Sequence, residues 1–291
     1  MSPTHHPLSN YFSAMQGERS TVIWRGYKVF LFKQIWGELA IAEQGAQVLH
    51  YQPKDSRALL WLSEESAGPG KAIRGGIPLC WPWFGAHPSL PDQPSHGLAR
   101  TANWSVIEET HNSEQSHWTL RAPELVDGIT LELHIRADGV QLKVQLTTEN
   151  KRSQAYPITQ ALHSYLQLSD TRNIQIHGPE TEAYYDKLAQ CYTRGQEHHW
   201  DMAMDRIYQH QGDTRLLDQG LKRQLNIAKE NSQSTVIWNP GSDSPPADIA
   251  PSQLSAFICI EAANTEQYDP VTLAPGQSVS ISTTLEHQPP E

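Results

Sequence analysis

Four short segments hold residue types able to do acid–base or anion-binding chemistry. The first is Ile73-Arg74-Gly75-Gly76-Ile77-Pro78-Leu79-Cys80-Trp81-Pro82-Trp83-Phe84-Gly85, one arginine among glycines, prolines and aromatics. Proline cannot donate to a strand ladder, which argues against a central strand here. Gly75-Gly76 lets the backbone turn sharply or approach a ligand. Trp81, Trp83 and Phe84 can wall a concave site suited to the C–H faces of a sugar, or they can plug the end of a sandwich. The second segment, Ser95-His96-Gly97-Leu98-Ala99-Arg100, brackets a glycine with His96 and Arg100, a pattern that a solvated loop also produces. In the third, Ala161-Leu162-His163-Ser164-Tyr165-Leu166, strand alternation puts Ala161, His163 and Tyr165 on one face. An isolated strand histidine is more often a hydrogen-bonded core residue than a catalyst. In the fourth, Glu261 follows the apolar run Ala256-Phe257-Ile258-Cys259-Ile260. Burial there raises a carboxyl pKa and makes a usable base near neutral pH; alternatively the strand simply emerges into water at its first charge.

Other chemistries find no support. The pairs His5-His6 and His198-His199 lack metal-ligand spacing, and neither HExxH nor CxxC occurs. Gly68-Pro69-Gly70-Lys71 lacks the phosphate-loop pattern, and no GxSxG elbow is present. The expectation is no metal and no cofactor. Cys80, Cys191 and Cys259 are too few and too scattered for a disulfide framework.

The elements that must position these residues read as short strands. Val29 to Phe32 is β-rich, and Leu39-Ala40-Ile41 and Gln47 to Tyr51 flank a Gln44-Gly45 turn as a hairpin. Leu131, Leu133 and Ile135, then Val140, Leu142, Val144 and Leu146, alternate with polar residues around Ala137-Asp138-Gly139, a hairpin turn. Further runs lie at 59–62, 104–108, 118–120, 158–168, 174–176, 225–227, 235–238, 254–261 and 279–285. Glu180 to Gln190 is the one modest helix candidate. Pro245 to Pro251 reads as a loop between strands. Many short strands with turns between them predict a sandwich or barrel. One domain over 1–291 is expected, loosely held at about 1–10 and 287–291.

Composition agrees with that reading. The chain has 291 residues, 38% of them hydrophobic, enough for a core. Twenty-two basic against 32 acidic residues give a net charge of −10, which argues against nucleic-acid or acidic-membrane partners. No apolar run approaches the roughly 18 residues of a membrane span. The opening stretch has no basic segment followed by an apolar run, so a cytoplasmic location is expected.

Taken together, IRGGIPLCWPWFG at 73–85, HGLAR at 96–100, ALHSY at 161–165, Asp205-Arg206-Ile207-Tyr208, VIWNP at 236–240 and CIEAAN at 259–264 resemble the hexose-6-phosphate mutarotases of the aldose 1-epimerase superfamily. The segments stand in that family's order through most of the chain. The resemblance implies an all-β, antiparallel β-supersandwich with few short helices. It implies His163 as general acid and Glu261 as general base. Arg74 and Arg100 match arginines that hold the substrate phosphate or line its pocket, and Asp205 a substrate-contacting aspartate. Ser95 and His96 fall in the substrate-binding segment, with Ser95 where some relatives carry glutamine. The implied reaction interconverts the anomers of a hexose 6-phosphate, with a small sugar phosphate as partner and a monomer as the expected state. Two alternatives stand beside it: an epimerase of free aldoses, and a non-catalytic carbohydrate-binding protein on the same fold.

Overall fold

The computed structural model describes residues 6–195, 199–243 and 245–288. After a short helix α1 (Ser9–Ser13), the chain forms β1 (Arg19–Trp24), β2 (Tyr27–Gln34), β3 (Gly37–Ala42), β4 (Val48–Pro53), β5 (Leu79–Cys80), β6 (Ser105–His111), β7 (Gln115–Arg121), β8 (Ile129–Asp138) and β9 (Gln141–Asn150). Short strands follow: β10 (Tyr156–Ile158), β11 (Gln160–Leu162), β12 (Tyr165–Gln167), β13 (Ile174–His177), β14 (Ala183–Asp186) and β15 (Cys191–Arg194). The last are β16 (Met204–Gln209), β17 (Thr214–Asp218), β18 (Arg223–Glu230), β19 (Ser234–Asn239), β20 (Phe257–Asn264), β21 (Val271–Leu273) and β22 (Ser278–Gln288).

Two eight-stranded antiparallel sheets dominate. One runs β13-β17-β18-β22-β9-β8-β7-β6; the other runs β15-β14-β16-β19-β20-β11-β5, with β12 also on β20. Apolar residues at every second position make one face of each sheet a core face. Leu133, Val144, Leu146, Leu225, Ile281 and Leu285 from the first sheet, and Ile237, Ile258, Ile260 and Ala262 from the second, join one buried cluster. The all-β supersandwich expected above is therefore the observed fold. A four-stranded sheet β1-β2-β3-β4 flanks it. Leu39 and Ile41 of β3 face the main core, while Ala40 and Ala42 face a second cluster containing Leu8 and Phe12 of the N-terminal segment.

Several local readings change. The segment 180–190 is not a helix: Pro179 starts a 3₁₀ turn, and Tyr184 and Tyr185 enter β14, opposite Tyr208 and Ile207. Cross-strand aromatic packing outweighs the helix propensity of the intervening Ala, Lys and Leu residues. The termini are engaged further than expected. Leu8 is buried, and His287 pairs with Leu225 across β22 and β18; residues 1–5 and 289–291 lie outside the described residues. Gly76 does approach a backbone closely, but its own: with φ +62°, a Cβ there would sit 2.1 Å from the Val48 carbonyl oxygen. Trp81 belongs to the main core, its indole N–H donating to Thr148 Oγ1 at 3.1 Å. No helix among the described residues is long and apolar enough to cross a membrane.

Candidate active site

Register alone brings His163 to Glu261. Leu162 pairs with Ala262 and Tyr165 with Cys259, so His163 stands directly across from Glu261 although the regular ladder lapses between β11 and β12. The Ile260 amide donates to the Ser164 carbonyl at 3.1 Å. The neighbouring 163/261 position is therefore a non-hydrogen-bonded pair, where opposed side chains come closest. The result is a contact of 3.3 Å between His163 Nε2 and Glu261 Oε1.

Both side chains lie on the sheet face away from the main core. On β20, Ile258, Ile260 and Ala262 enter the main core, while Cys259 and Ala263 join two small satellite clusters on the other face. Glu261 sits between those clusters, 1% exposed; His163 is 7% exposed. The Tyr165 ring lies parallel to His163 at 4.8 Å, and Trp238 meets it edge-on at 5.9 Å. These rings fix the imidazole. His163 Nδ1 and Glu261 Oε2 are left with no hydrogen-bond partner, a costly state in a buried site.

Loops bring three cations to this face. Arg74 emerges from the 73–77 segment, which is stitched down by Gly76 N–H to the Trp61 carbonyl and Ile77 N–H to the Val48 carbonyl. Its Nε reaches both Asp248 carboxylate oxygens at 3.1 Å, and its Nη1 donates to Tyr165 Oη at 3.0 Å. Arg100, in a 3₁₀ turn, donates from Nη2 to the Ser95 carbonyl at 2.6 Å. Ser95 itself is exposed and contributes that carbonyl. Lys187, just past β14, pairs with Asp205 of β16 at 2.7 Å and lies 5.2 Å from the centre of the Phe84 ring. His96 adopts a left-handed backbone, φ +63°, and accepts the Gly85 N–H on Nδ1. Its ring stands 5.8 Å from that of His163.

The electrostatics follow from burial beside cations. Burial lifts the Glu261 carboxyl well above the usual range, with Asp205 adding to the rise and Lys187 opposing it. Burial holds His163 well below its ordinary value, helped by His96, Arg74 and Arg100. His96 falls to about 3, from burial and then Arg100, Lys187 and Arg74. Thus Arg74, Arg100 and Lys187 all act on one small region. Burial also keeps the Cys80 thiol protonated, pushed up to about 12, so thiolate chemistry is absent there.

Of the residues singled out from sequence, His163, His96, Glu261, Arg74, Arg100 and Asp205 share this electrostatic neighbourhood. Four participants were missed. Tyr165 and Trp238 stand inside the quoted motifs ALHSY and VIWNP without having been given a role. Asp248 lies in the Pro-rich loop, and Lys187 in the stretch read as a helix. Among the described residues no three His, Cys, Asp or Glu side chains gather as a metal site; His5 and His198 lie outside those residues.

Residues 34–286 match the family profile described as aldose 1-epimerase. A protein of Escherichia coli (strain K12), provisionally named glucose-6-phosphate 1-epimerase, is 28% identical over 254 residues, which is 80% of this chain and 82% of that one. A Cenchrus ciliaris protein of the same provisional name is 27% identical over 255 residues, 80% of this chain and 76% of its own. The crystal structure of a provisionally assigned mutarotase, YeaD from Salmonella typhimurium, superposes with a TM-score of 0.87. It covers 98% of this chain and 100% of its own at 22% identity, a likeness of fold. A family match spanning all but the ends of the chain, over a sheet that carries a buried imidazole–carboxyl contact, has one meaning: this chain belongs to the aldose 1-epimerase family.

Proposed function

We propose that the protein interconverts the α and β anomers of a hexose 6-phosphate, with His163 and Glu261 as the proton-transfer pair and Arg74 and Arg100 holding the phosphate. The observation that carries the chemistry is the 3.3 Å imidazole–carboxyl contact with one unpartnered polar atom on each side chain. In the forward step, the Glu261 carboxylate takes the proton of the C1 hydroxyl while the His163 imidazolium protonates the ring oxygen. The bond from C1 to the ring oxygen breaks as the C1 carbonyl forms. The aldehyde turns about C1–C2. The freed hydroxyl then attacks its other face, His163 recovers its proton, and Glu261 returns the other.

The proton inventory supports this cycle. Burial favours neutral His163 and protonated Glu261, which is the state the pair reaches when the ring is open. The closed-ring stage needs the same single proton on the imidazole instead. An incoming phosphate dianion, by offsetting Arg74 and Arg100, makes the imidazolium easier to form.

The same reading assigns the substrate's anionic end to Arg74 and Arg100, which retain guanidinium donors beyond those already bonded, and its hydroxyl groups to Asp205 and His96, with Ser95 at the rim. A sugar phosphate is then the only partner required, and one domain acting as a monomer suffices. One observation favours the free-aldose alternative: Asp248 and Tyr165 already occupy one edge of Arg74.

Anomer exchange followed by NMR separates the two. Glucose 6-phosphate is expected to exchange faster than glucose, mainly through a lower KM. Arg74→Ala and Arg100→Ala are expected to raise KM for the ester by about 10- to 150-fold, the worth of one charge-assisted hydrogen bond, with little change for glucose. Glu261→Gln and His163→Asn are expected to slow exchange about 100-fold or more. Equal efficiency on both sugars defeats the phosphate assignment; near-normal exchange in a folded Glu261→Gln protein defeats the acid–base pair.

A further inference from the structure

Across the core from His163 and Glu261, the outer face of the other eight-stranded sheet carries a cavity of about 520 Å³. The side chains that line it are all of polar type and include His111, His117, His134, Arg136, Lys143 and Gln145. Strand register places three basic residues in one row: His117 opposite Arg136, and Arg136 opposite Lys143. Like charges directly opposite one another weaken a sheet. Lys143 is relieved by Glu230 at 2.7 Å, but Arg136 makes no hydrogen bond or ion pair with any described residue. The rings of His117 and His134 lie parallel within 4°, with centroids 6.0 Å apart. The His117 side chain likewise has no hydrogen-bonded partner, whereas His134 touches Thr119 Oγ1 at 3.3 Å with Nδ1 and has Glu132 Oε2 3.9 Å from Nε2.

We propose that this cavity is a second, non-catalytic binding site, for a phosphate group carried on a small polar molecule. The Arg136 guanidinium supplies a two-pronged donor, the N–H groups of His117 and His134 supply two more from neighbouring strands, and Lys143 supplies a charged rim. Donors converging from three strands match the three terminal oxygens of a phosphate ester better than the two of a carboxylate. The cavity far exceeds a bare phosphate, and Thr110, Asn112 and Gln145 line the remainder with groups that bond hydroxyls. In a chain of net charge −10, a guanidinium left without a carboxylate partner marks a place for an anion.

The site responds to pH in a defined direction. The charged groups around His117 are Glu108, Glu109 and His111 on β6, Glu132, His134 and Arg136 on β8, and Lys143 on β9. Glu109 is already held by Arg19 and His111, Glu132 by Arg121, and Lys143 by Glu230. Burial, then His134 and Arg136, keep His117 below its ordinary value against Glu108. A bound dianion raises it again, so binding takes up protons and tightens as pH falls.

The test follows the imidazole C–H signals of His117 and His134 by NMR, assigned with His117→Gln and His134→Gln. Inorganic sulfate, a dianion throughout, is titrated at about pH 6 and about pH 8; inorganic phosphate and glucose 6-phosphate are titrated at the higher pH. Saturable shifts are expected for all three, tighter sulfate binding at the lower pH, and glucose 6-phosphate bound more tightly than phosphate. Arg136→Gln is expected to weaken binding about tenfold while anomer exchange stays unchanged. Absence of saturable shifts, an unaltered affinity in Arg136→Gln, or sulfate affinity independent of pH overturns the site. Phosphate bound as tightly as glucose 6-phosphate overturns the assignment to a phosphate carried on a larger body.

Discussion

A glutamate pushed up and a histidine pushed down, in contact, behave as one titrating unit rather than two. Between the lowered value of His163 and the raised value of Glu261 the pair keeps a single proton. Below that window a second proton converts Glu261 and His163 to acids together; above it the shared proton is lost. The kcat/KM for anomer exchange is therefore expected to be bell-shaped in pH, with an acid limb below the usual histidine range and an alkaline limb above the usual carboxylate range. An acid limb at or above the usual histidine range, or an alkaline limb within the usual carboxylate range, would sink this picture. The same carboxyl also affects stability. A group whose pKa is raised in the folded state stabilises the fold fully below its unfolded value, and that contribution is lost as pH rises through the folded value. Glu261→Gln cannot lose a proton. It is expected to melt above the parent at alkaline pH, by a margin that grows as pH rises and disappears near pH 4. Thermal unfolding across pH checks this, and a variant less stable than the parent at every pH contradicts it. Both effects rest on full burial; the apolar run before Glu261 pointed only to a core edge, or to a strand emerging into water.

At the scale of elements, regular strands were legible and irregular connections were not. The β8–β9 hairpin and the β3–β4 hairpin follow from alternation and turn residues. The 160–167 stretch alternates as expected, with Leu162 and Leu166 in the main core and Ala161 and Tyr165 in the outer clusters. What alternation could not reveal was the register between β11 and β20, which depends on residues about a hundred positions apart. Lys187 escaped for a related reason: its segment carries helix formers, and only pairing with β16 brings it to Asp205. Gly75-Gly76 was read as room for a sharp turn or for a ligand, whereas Gly76 makes room for the protein itself, and so does Gly97. Gly97, at φ +77°, would place a Cβ 2.0 Å from the Trp81 carbonyl oxygen. Gly97→Ala must distort the contact that seats His96 beside His163. It is expected to cost about 2 kcal/mol or more and to raise KM, while Gly85→Ala, with nothing within 4 Å, is expected to cost less through its φ alone. Chemical denaturation of the two variants checks the ranking.

For the whole molecule, one strand is common property of the core and the chemistry. Every residue of β20 is buried; three of its side chains complete the main core, and Glu261 projects the opposite way between the satellite clusters. The proposed substrate-binding residues Arg74, His96 and Arg100 are placed differently, on loops that join no long ladder. The β20 strand thus divides the molecule by how it opens. The amides of Ile260 and Glu261 can exchange with solvent only when the β-sandwich itself comes apart, because no local fluctuation frees a strand held on both faces. Those of Gly97 and Arg100 need only a loop excursion. Hydrogen exchange is therefore expected to be slowest along β20, at the global unfolding rate, and faster by orders of magnitude at 95–100. A sugar phosphate is expected to protect the loop amides and leave β20 protection set by overall stability. Under the proposed function, turnover proceeds by loosening the loops' grip on the substrate while the His163–Glu261 pair stays in register.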